Sequence, residues 1–457
     1  MEILSPLSNS ASDFIRVAPT PKSESRISAA PPIQPRWVLY ANVLVSLLQP
    51  LQYGWSTSQL NLNTFNDEDE CNARPVAPDT CLMFPGHTKA QWTIAVSAWI
   101  FGGMLGALVI GRVSNKFGRK RIMMANCLFM TTGAVVQASA SSMWMFIGGR
   151  VISGVASGGT TAVIPGFISE ISPPNLRNNL GVGFQMAITT GNLFVAIVFF
   201  SADTKSGWRY IAGFPVVLAT LYLVLAPFII VESPAWLLVV GKQQLAEREL
   251  ARLFGEENVY LAKTWLQQDH PQRLLGLLGP KTHGYQRRLL LLVHTVRTSW
   301  YIGRPHWNSC RQLCQRASNP VLWDTGTRLG NRKLMLYGLA GMFLSALGIT
   351  ASLVASLPAL AIVFTATYVT TFGSSLGSLA WVVMADLFPD EARPMGNSVC
   401  VGCSWLSNLT VGLSYPYVAA ALGDFSFTPF MCTVALSYVF VYWFVPDTSG
   451  KTMQEIR

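Results

Sequence analysis

The chain has 457 residues, of which 51% are hydrophobic and only 12% are charged, and its mean hydropathy is +0.36. Soluble domains carry about 25% charged residues, so this composition argues against a soluble enzyme, and it excludes a disordered chain or a disulfide scaffold as well. The net charge of +10 does not indicate nucleic-acid binding, because the stretch between Glu232 and Lys333 alone holds 15 Lys and Arg against 7 Asp and Glu. The positive charge is therefore concentrated in one loop region of an expected membrane protein.

The first 36 residues contain Pro, Ser and mixed charges but no apolar core, which predicts a disordered cytoplasmic tail (1–36) rather than a signal peptide. Beyond them, long charge-free stretches alternate with charged loops, and a helix needs about 20 apolar residues to cross ~30 Å of hydrocarbon. The stretch 334–385 holds two helices, divided near Pro358, because proline disfavours helix for the residue before it. The pattern predicts ten spanning helices, at roughly 37–58, 91–111, 122–140, 144–168, 178–201, 210–231, 334–354, 359–385, 394–419 and 425–446.

Loop charge predicts the orientation of these helices. Residues 111–121 hold five Lys or Arg and no acid, whereas residues 59–90 hold five acids and two basic residues. Because Lys and Arg favour the cytoplasmic side, the first loop is expected in the cytoplasm, and an even helix count places both termini there. Cys71 and Cys81 then face an oxidising side, where they either form a disulfide or remain unpaired, and the other six cysteines are expected to be reduced.

The chain repeats its own motifs in two halves. FGRKRIMM (117–124) resembles LGNRKLML (329–336), and SEISPPNLR (169–177) resembles ADLFPDEAR (385–393). VESPAWL (231–237) faintly resembles VPDTSGKT (445–452). Their separations are nearly constant, which indicates two homologous halves. Repeats of this kind build transporters whose substrate site lies between the halves near the bilayer midplane.

The second half is expected to lack its first helical pair. The counterparts of the first two helices should lie around 253–327, where the longest charge-free run is only Leu289–Val296. Each Lys or Arg placed centrally in a membrane helix costs about 2.5–3.5 kcal/mol, so this stretch should not insert. We therefore expect a six-helix bundle (37–231), a basic cytoplasmic loop (232–333) with an atypical segment at about 265–325, a four-helix remnant (334–446) and a cytoplasmic tail (447–457).

Seven motifs in this order resemble the sugar porter family of the major facilitator superfamily, especially its fungal members and the facilitative glucose transporters. They are GRVSNKFGRKR (111–121), GGRVISGVASGG (148–159), SEISPPNLRNNLG (169–181), WRYIAGFPVVL (208–218), VESPAWLL (231–238), ADLFPDEARPMG (385–396) and VPDTSGKTMQEI (445–456). The resemblance implies an all-α polytopic membrane protein with a two-bundle fold, here with about ten helices instead of twelve. The missing pair corresponds to helices 7 and 8 of the family.

The resemblance also implies a cytoplasmic gate of salt bridges that hold the outward-facing state. Its residues would be Arg119, Glu170, Arg177, Glu232, Asp386 and Arg393. The alternative is that these charges only set the orientation, and for Lys120 and Arg121 this alternative is favoured. The second half departs from the family pattern at Thr327 and Asn331, so its part of the gate should be weaker.

Sugar recognition requires neutral hydrogen-bonding groups beside apolar faces, and the resemblance assigns four candidate residues to it. They are Gln185, Trp381, Trp405 and Asn408, for which simple packing is the alternative. Proton-linked porters use an aspartate in helix 1, but Ser56 stands at that place. This difference favours facilitated diffusion over proton symport.

Arg150 is the only charge within predicted helix 4, which makes it either a functional intramembrane charge or a snorkelling anchor.

His294, His306, Cys310 and Cys314 do not have the spacing of a standard zinc site, so no metal and no cofactor is expected. The sequence shows no recognisable arrangement of a nucleophile and a base, so we do not expect an enzyme.

The leading interpretation is a hexose-type transporter that works by alternating access, whose transport we expect to be impaired by the missing pair. The alternatives are a non-transporting sugar sensor and a defective gene model of a twelve-helix transporter. The expected partners are a small sugar and the lipid bilayer, in the plasma or the vacuolar membrane. The sequence leaves the oligomeric state, the particular sugar and the direction of flux open.

Overall fold

The computed structural model describes residues 34–60, 71, 81, 83–202, 206–268, 330–373, 375–377, 379–380, 383 and 393–445. Within these ranges the regular structure is entirely helical. The helices are α1 Trp37–Ser46, α2 Leu48–Ser58, α3 Lys89–Phe117, α4 Arg119–Ala138, α5 Met143–Ile171, α6 Pro174–Ala202, α7 Gly207–Gly213, α8 Pro215–Ile229, α9 Pro234–Val239, α10 Gln243–Phe254, α11 Val259–Gln268, α12 Asn331–Val354, α13 Pro358–Gly373, α14 Arg393–Leu422 and α15 Thr428–Phe444. Each of the ten predicted segments therefore contains helix.

Two predicted helices are each divided in two. Predicted helix 37–58 breaks at Leu47 into α1 and α2, just before Pro50, which has no N–H group to donate to a carbonyl of the preceding turn. Predicted helix 210–231 breaks at Phe214, and Pro215 starts α8 at a position where a missing N–H is tolerated.

The predicted loop 111–121 is almost entirely helical. Helix α3 continues to Phe117 and α4 begins at Arg119, so Gly118 alone connects the two helices. Gly118 has φ +91°, and Gly330, its counterpart in the second half, has φ +84° and precedes α12 in the same way. Because glycine adopts positive φ at little cost, the repeated motif produces the same sharp turn in both halves.

Six helices of the described ranges are both long and apolar enough to cross a membrane. They are Ala90–Phe117, Met143–Ile171, Asn179–Val198, Gly207–Ile229, Arg332–Val354 and Gly423–Phe444. The remaining predicted spans are shorter or more polar. Helix α4 begins with three basic residues, the described part of α13 has 16 residues, and α1 and α2 share a buried polar stripe. The stripe consists of Asn42, Ser46, Gln49, Gln52, Ser56 and Gln59, at spacings of three or four residues, and it faces the interior of the first bundle.

The two halves meet chiefly where α14 packs against α3 and α5. A Cβ atom at Gly103 would lie 2.6 Å from the ring of Trp405, and one at Gly402 would lie 2.6 Å from Leu108. Small residues on each helix therefore accept large residues from the other, which permits close packing. A second link joins Val182 of α6 to the apolar core of α12, α13 and α15.

The two ends of the first bundle differ in chemistry, and we call them the charged end, which carries Glu232, and the cysteine end. At the cysteine end, Cys71 and Cys81 form a disulfide, which resolves the alternative left open by the sequence. Met83 follows the disulfide and is buried with Trp55, Phe146 and Trp208. The four other described cysteines are free, and Cys310 and Cys314 lie outside the described residues.

At the charged end, three side chains from different segments bind the last turn of α8. Lys120 Nζ donates to the carbonyl oxygen of Pro227 at 3.0 Å, Arg252 Nη2 to that of Phe228 at 3.1 Å, and Asn42 Nδ2 to that of Ile229 at 3.0 Å. The last carbonyls of a helix have no partner within the helix, so these contacts satisfy groups that would otherwise need water. Elements α1, α4 and α10 are thereby attached to the end of α8.

Candidate functional site

A buried ion pair lies at the charged end of the first bundle. Arg119 begins α4 and Glu170 lies near the end of α5, and both side chains are about 95% buried, with exposures of 5% and 4%. Arg119 Nε donates to Glu170 Oε2 at 3.0 Å and Nη2 donates to Oε1 at 2.9 Å. This two-pronged geometry is the strongest arrangement open to a guanidinium and a carboxylate, and it joins α4 to α5.

Glu232 contacts the same turn through the backbone rather than through a side-chain cation. Its Oε1 accepts the backbone N–H groups of Arg119 at 2.6 Å, Lys120 at 3.2 Å and Ser233 at 3.0 Å. The carboxylate therefore caps the N-terminus of α4, where the helix dipole favours a negative charge. Gly118 allows this approach, because a Cβ atom there would lie 2.5 Å from Glu232 Oε2.

Two opposing effects act on the charge of Glu232. Burial disfavours the charged form and raises the pKa of the carboxyl above its ordinary value, whereas the three backbone hydrogen bonds and the positive charge of Arg119 lower it. Burial is the larger effect, so the pKa of Glu232 is raised.

The structure describes the other predicted gate residues only in part. Arg177 lies in the first turn of α6 and is half-buried. Arg393 begins α14, but its side chain lies outside the described residues, as does Asp386 entirely. The pairing of these residues with Arg119 or Glu170 stays a prediction.

An aromatic cluster lies where the two halves meet. Trp405 of α14 packs edge-on against Trp99 of α3 and against Tyr53 of α2, with ring centroids 4.9 and 5.7 Å apart. Tyr53 and Trp99 stack on each other at 5.5 Å. The indole N–H of Trp405 donates to the hydroxyl of Thr161 at 3.2 Å, a contact that joins the halves. We call Tyr53, Trp99 and Trp405 the aromatic site.

Two of the other predicted sugar residues, Gln185 and Asn408, lie on described helices. Gln185 is buried on α6, close to the point where Gly54 of α2 packs against Ile188. Asn408 lies on α14, three residues after Trp405, and is half-buried. Trp381 lies outside the described residues. Sugar binding by these residues stays a prediction.

Arg150 is buried inside the first bundle rather than directed toward lipid. Its exposure is 2%, its Nη1 donates to the carbonyl oxygen of Ser56 at 2.9 Å, and its guanidinium carbon lies 5.4 Å from the ring centroid of Trp99. A snorkelling side chain keeps its charge in water, so this burial does not fit the snorkelling alternative. A functional role for Arg150 stays a prediction.

Sequence reasoning missed two of the three aromatic-site residues. Tyr53 and Trp99 have no distinctive motif, and aromatic residues are common in membrane helices. The one available signal was spacing, since Tyr53 lies on α2 beside Gln52 and Ser56 of the polar stripe.

Comparison with known proteins gives the family. The profile of the family described as "Sugar (and other) transporter" matches residues 40–297 and 317–457. The chain is 29% identical to human solute carrier family 2, facilitated glucose transporter member 4, with 91% of this chain and 89% of the relative covered. It is 30% identical to member 5 from Equus caballus, with 80% of each chain covered. This chain belongs to the sugar (and other) transporter family, which consists of membrane transporters and not of enzymes.

Solved structures give the same fold. The proton:xylose symporter XylE bound to 6-bromo-6-deoxy-D-glucose superposes with a TM-score of 0.76 at 22% identity, covering 92% of this chain and 98% of XylE. An inward-open form of XylE from E. coli gives a TM-score of 0.72 at 22% identity, covering 92% and 99%. The fold is that of the major facilitator superfamily, as the sequence motifs indicated.

The family match also narrows one sequence-based expectation. The segment at about 265–325, which the sequence marks as atypical, matches the family in part, because the match continues to residue 297 and resumes at residue 317. Only residues 298–316 lie between the two matched parts. The structure does not describe 269–329, so the predicted absence of helices 7 and 8 stays a prediction.

Proposed function

We propose that this chain carries a hexose-like sugar across a membrane by facilitated diffusion, with alternating access to a site between its halves. The observation that carries the proposal is the position of Trp405, which comes from the second half and packs against Tyr53 and Trp99 of the first. A pyranose presents flat C–H faces and a rim of hydroxyls, so aromatic rings beside neutral polar groups suit it. Gln185, Asn408 and Trp381 supply the polar and aromatic groups of the proposed site.

The acids of the described spanning helices favour facilitated diffusion over proton symport. The described spanning helices contain two acids. Glu170 is held by Arg119 near the charged end, and Asp424 is exposed at the first turn of Gly423–Phe444. A proton-coupled carrier needs a membrane acid that gains and loses a proton during the cycle. A carboxylate that is fixed by a two-pronged arginine contact does not suit this role.

In the proposed cycle, the charged end faces the cytoplasm and both termini lie there. Arg119, Glu170 and Glu232 form the core of the gate, together with Arg177, Asp386 and Arg393. Two rigid bundles that share one buried interface alternate between discrete arrangements rather than deforming continuously. The plasma membrane and the vacuolar membrane both remain candidate locations.

Uptake of labelled D-glucose in a host without hexose transporters tests the proposal. We expect saturable uptake by the wild type that unlabelled D-glucose competes, and a large loss in Gln185→Ala. Ser407→Ala is a matched control, because this buried α14 hydroxyl donates to the carbonyl oxygen of Cys403 in its own helix. A surface-expressed chain without competed uptake would instead favour a non-transporting sensor.

Cysteine accessibility tests the proposed domain organisation. We expect single cysteines placed within Leu289–Val296 to react with a membrane-impermeant thiol reagent once the cells are permeabilised. Protection of these cysteines at membrane depth would contradict the ten-helix organisation and indicate that this segment inserts.

A further inference from the structure

Asn397 is a buried amide near the start of α14, and the gate and sugar assignments do not use it. Its side chain is 1% exposed, and within the described part of the chain neither Nδ2 nor Oδ1 has a hydrogen-bond partner. Buried polar groups in proteins are nearly always paired, because an unpaired one loses its hydrogen bonds to water without replacement. We therefore expect the Asn397 amide to form hydrogen bonds with a molecule other than the described protein groups.

The surroundings of Asn397 show where such a partner would bind. Across the helix contact stands Gly166 of α5, and a Cβ atom there would have a single atom within 4 Å beyond its own stretch of helix, namely Asn397 Nδ2 at 3.6 Å. Among the described residues, no other side chain stands between the amide and the glycine. Ser169 lies one turn further along α5, is 4% exposed, and also has a hydroxyl without a hydrogen-bond partner among the described residues.

This group of residues lies between the two sites already described. On α5, Thr161 holds Trp405 on one side of Gly166, and Glu170 holds Arg119 on the other side. On α14, Asn397 lies two turns from Trp405 toward the charged end. A solute that leaves the aromatic site along the contact between α5 and α14 would meet Asn397 and Ser169 before it reaches the charged end.

We propose that Asn397 and Ser169 form a second binding site, which takes up hydroxyl groups between the aromatic site and the charged end. An asparagine amide offers donors and an acceptor side by side, so it can bond two neighbouring hydroxyls, and a serine hydroxyl can donate or accept. Hydroxyl groups come from two sources, a transported sugar or water. The assignment to sugar rests on the proposed function, whereas the assignment to water does not.

Thermal unfolding of the purified full chain, with and without D-glucose, separates the two sources. The variant is Asn397→Leu, which keeps the number and branching of the side-chain heavy atoms and removes both polar atoms, and the control is Ser407→Ala on the same helix. For sugar binding, we expect Asn397→Leu to lose at least half of the D-glucose-induced rise in Tm and the control to keep it. The apparent Kd for D-glucose should weaken about three- to tenfold, as expected when one or two neutral hydrogen bonds are lost.

The remaining outcomes also decide the proposal. If the D-glucose effect stays intact but Asn397→Leu lowers the Tm without sugar, the site binds water alone. If the D-glucose effect stays intact and the Tm without sugar is unchanged or higher, the site binds neither and the proposal is wrong. If D-glucose affects no variant and the wild type shows no uptake, the proposed function fails, and the Tm without sugar still decides whether the hydroxyl site exists.

Discussion

Glu232 Oε1 accepts the backbone N–H of Arg119 at 2.6 Å, so an acid from the segment after α8 caps the first turn of α4. The same turn presents the Arg119 guanidinium to Glu170. One turn of helix therefore connects the end of the first bundle to α5, through a backbone contact and a side-chain contact that can be tested separately.

The backbone contact can be tested by removing its acceptor. Glu232→Ala leaves three N–H groups without their partner and should lower the free energy of unfolding by about 1–3 kcal/mol. Glu232→Gln keeps an acceptor oxygen and should cost less. Thermal unfolding measures both effects, with the exposed Glu256→Gln as control. Equal losses in the Ala and Gln variants would mean that the charge matters and the acceptor geometry does not.

The pH dependence of Glu232 follows from its environment. Because burial raises its pKa above 4.5, the folded chain holds the proton more tightly than the unfolded chain. This group's contribution to stability is therefore fully present below pH 4.5 and is lost as the pH rises through the raised pKa. We expect wild type and Glu232→Gln to differ in the slope of Tm against pH within that window. Parallel slopes would contradict a raised pKa.

The Arg119–Glu170 pair should show strong coupling. Removing one partner leaves a buried charge uncompensated, so Arg119→Leu and Glu170→Leu should each cost about 3–5 kcal/mol. The double variant Arg119→Leu/Glu170→Leu should be more stable than either single variant, because neither charge then remains. Thermal unfolding of all four proteins gives the coupling energy, and additive losses would show that the ion pair is not a unit.

Transport by this chain should be passive. In the described spanning helices the acids are Glu170, which Arg119 binds, and Asp424, which is exposed at a helix end, so uptake should continue in the presence of a protonophore and should not exceed the external concentration. Efflux of preloaded labelled D-glucose supplies the control, since a facilitator works in both directions. Accumulation that collapses on uncoupling would show that another group carries the proton.

The disulfide Cys71–Cys81 should stabilise the cysteine end. It closes a short loop next to buried Met83, and a cross-link of this length contributes about 2–3 kcal/mol, mainly through the unfolded state. A membrane-impermeant reductant should therefore lower the Tm of the wild type and leave the double variant Cys71→Ser/Cys81→Ser unchanged. A variant as stable as the oxidised wild type would show that burial of Met83 alone holds this end.

The sequence predicted the helices well because charges in hydrocarbon are costly, and the gaps between charges mark the spans. It placed the end of α3 several residues too early, since Arg112 and Lys116 read as a loop although helix continues to Phe117. The family motifs named Arg119 and Glu170 as members of a salt-bridge gate without pairing them, and the structure shows the two as an ion pair. The capping role of Glu232 did not, because it depends on the positive φ of Gly118 and on backbone N–H groups that carry no residue-specific signal. Tyr53 and Trp99 were missed because tertiary packing alone brings them to Trp405.

The contacts at the last turn of α8 connect a membrane helix to a surface that lies outside the spanning helices. Arg252 of α10 binds the Phe228 carbonyl oxygen, so the helical hairpin of α10 and α11 has a direct mechanical connection to a membrane helix. Tyr260 on α11 is 83% exposed and offers a surface that antibody fragments can reach. A binder raised against this hairpin would therefore contact an element that is attached to the first bundle through Arg252, at a surface away from the aromatic site.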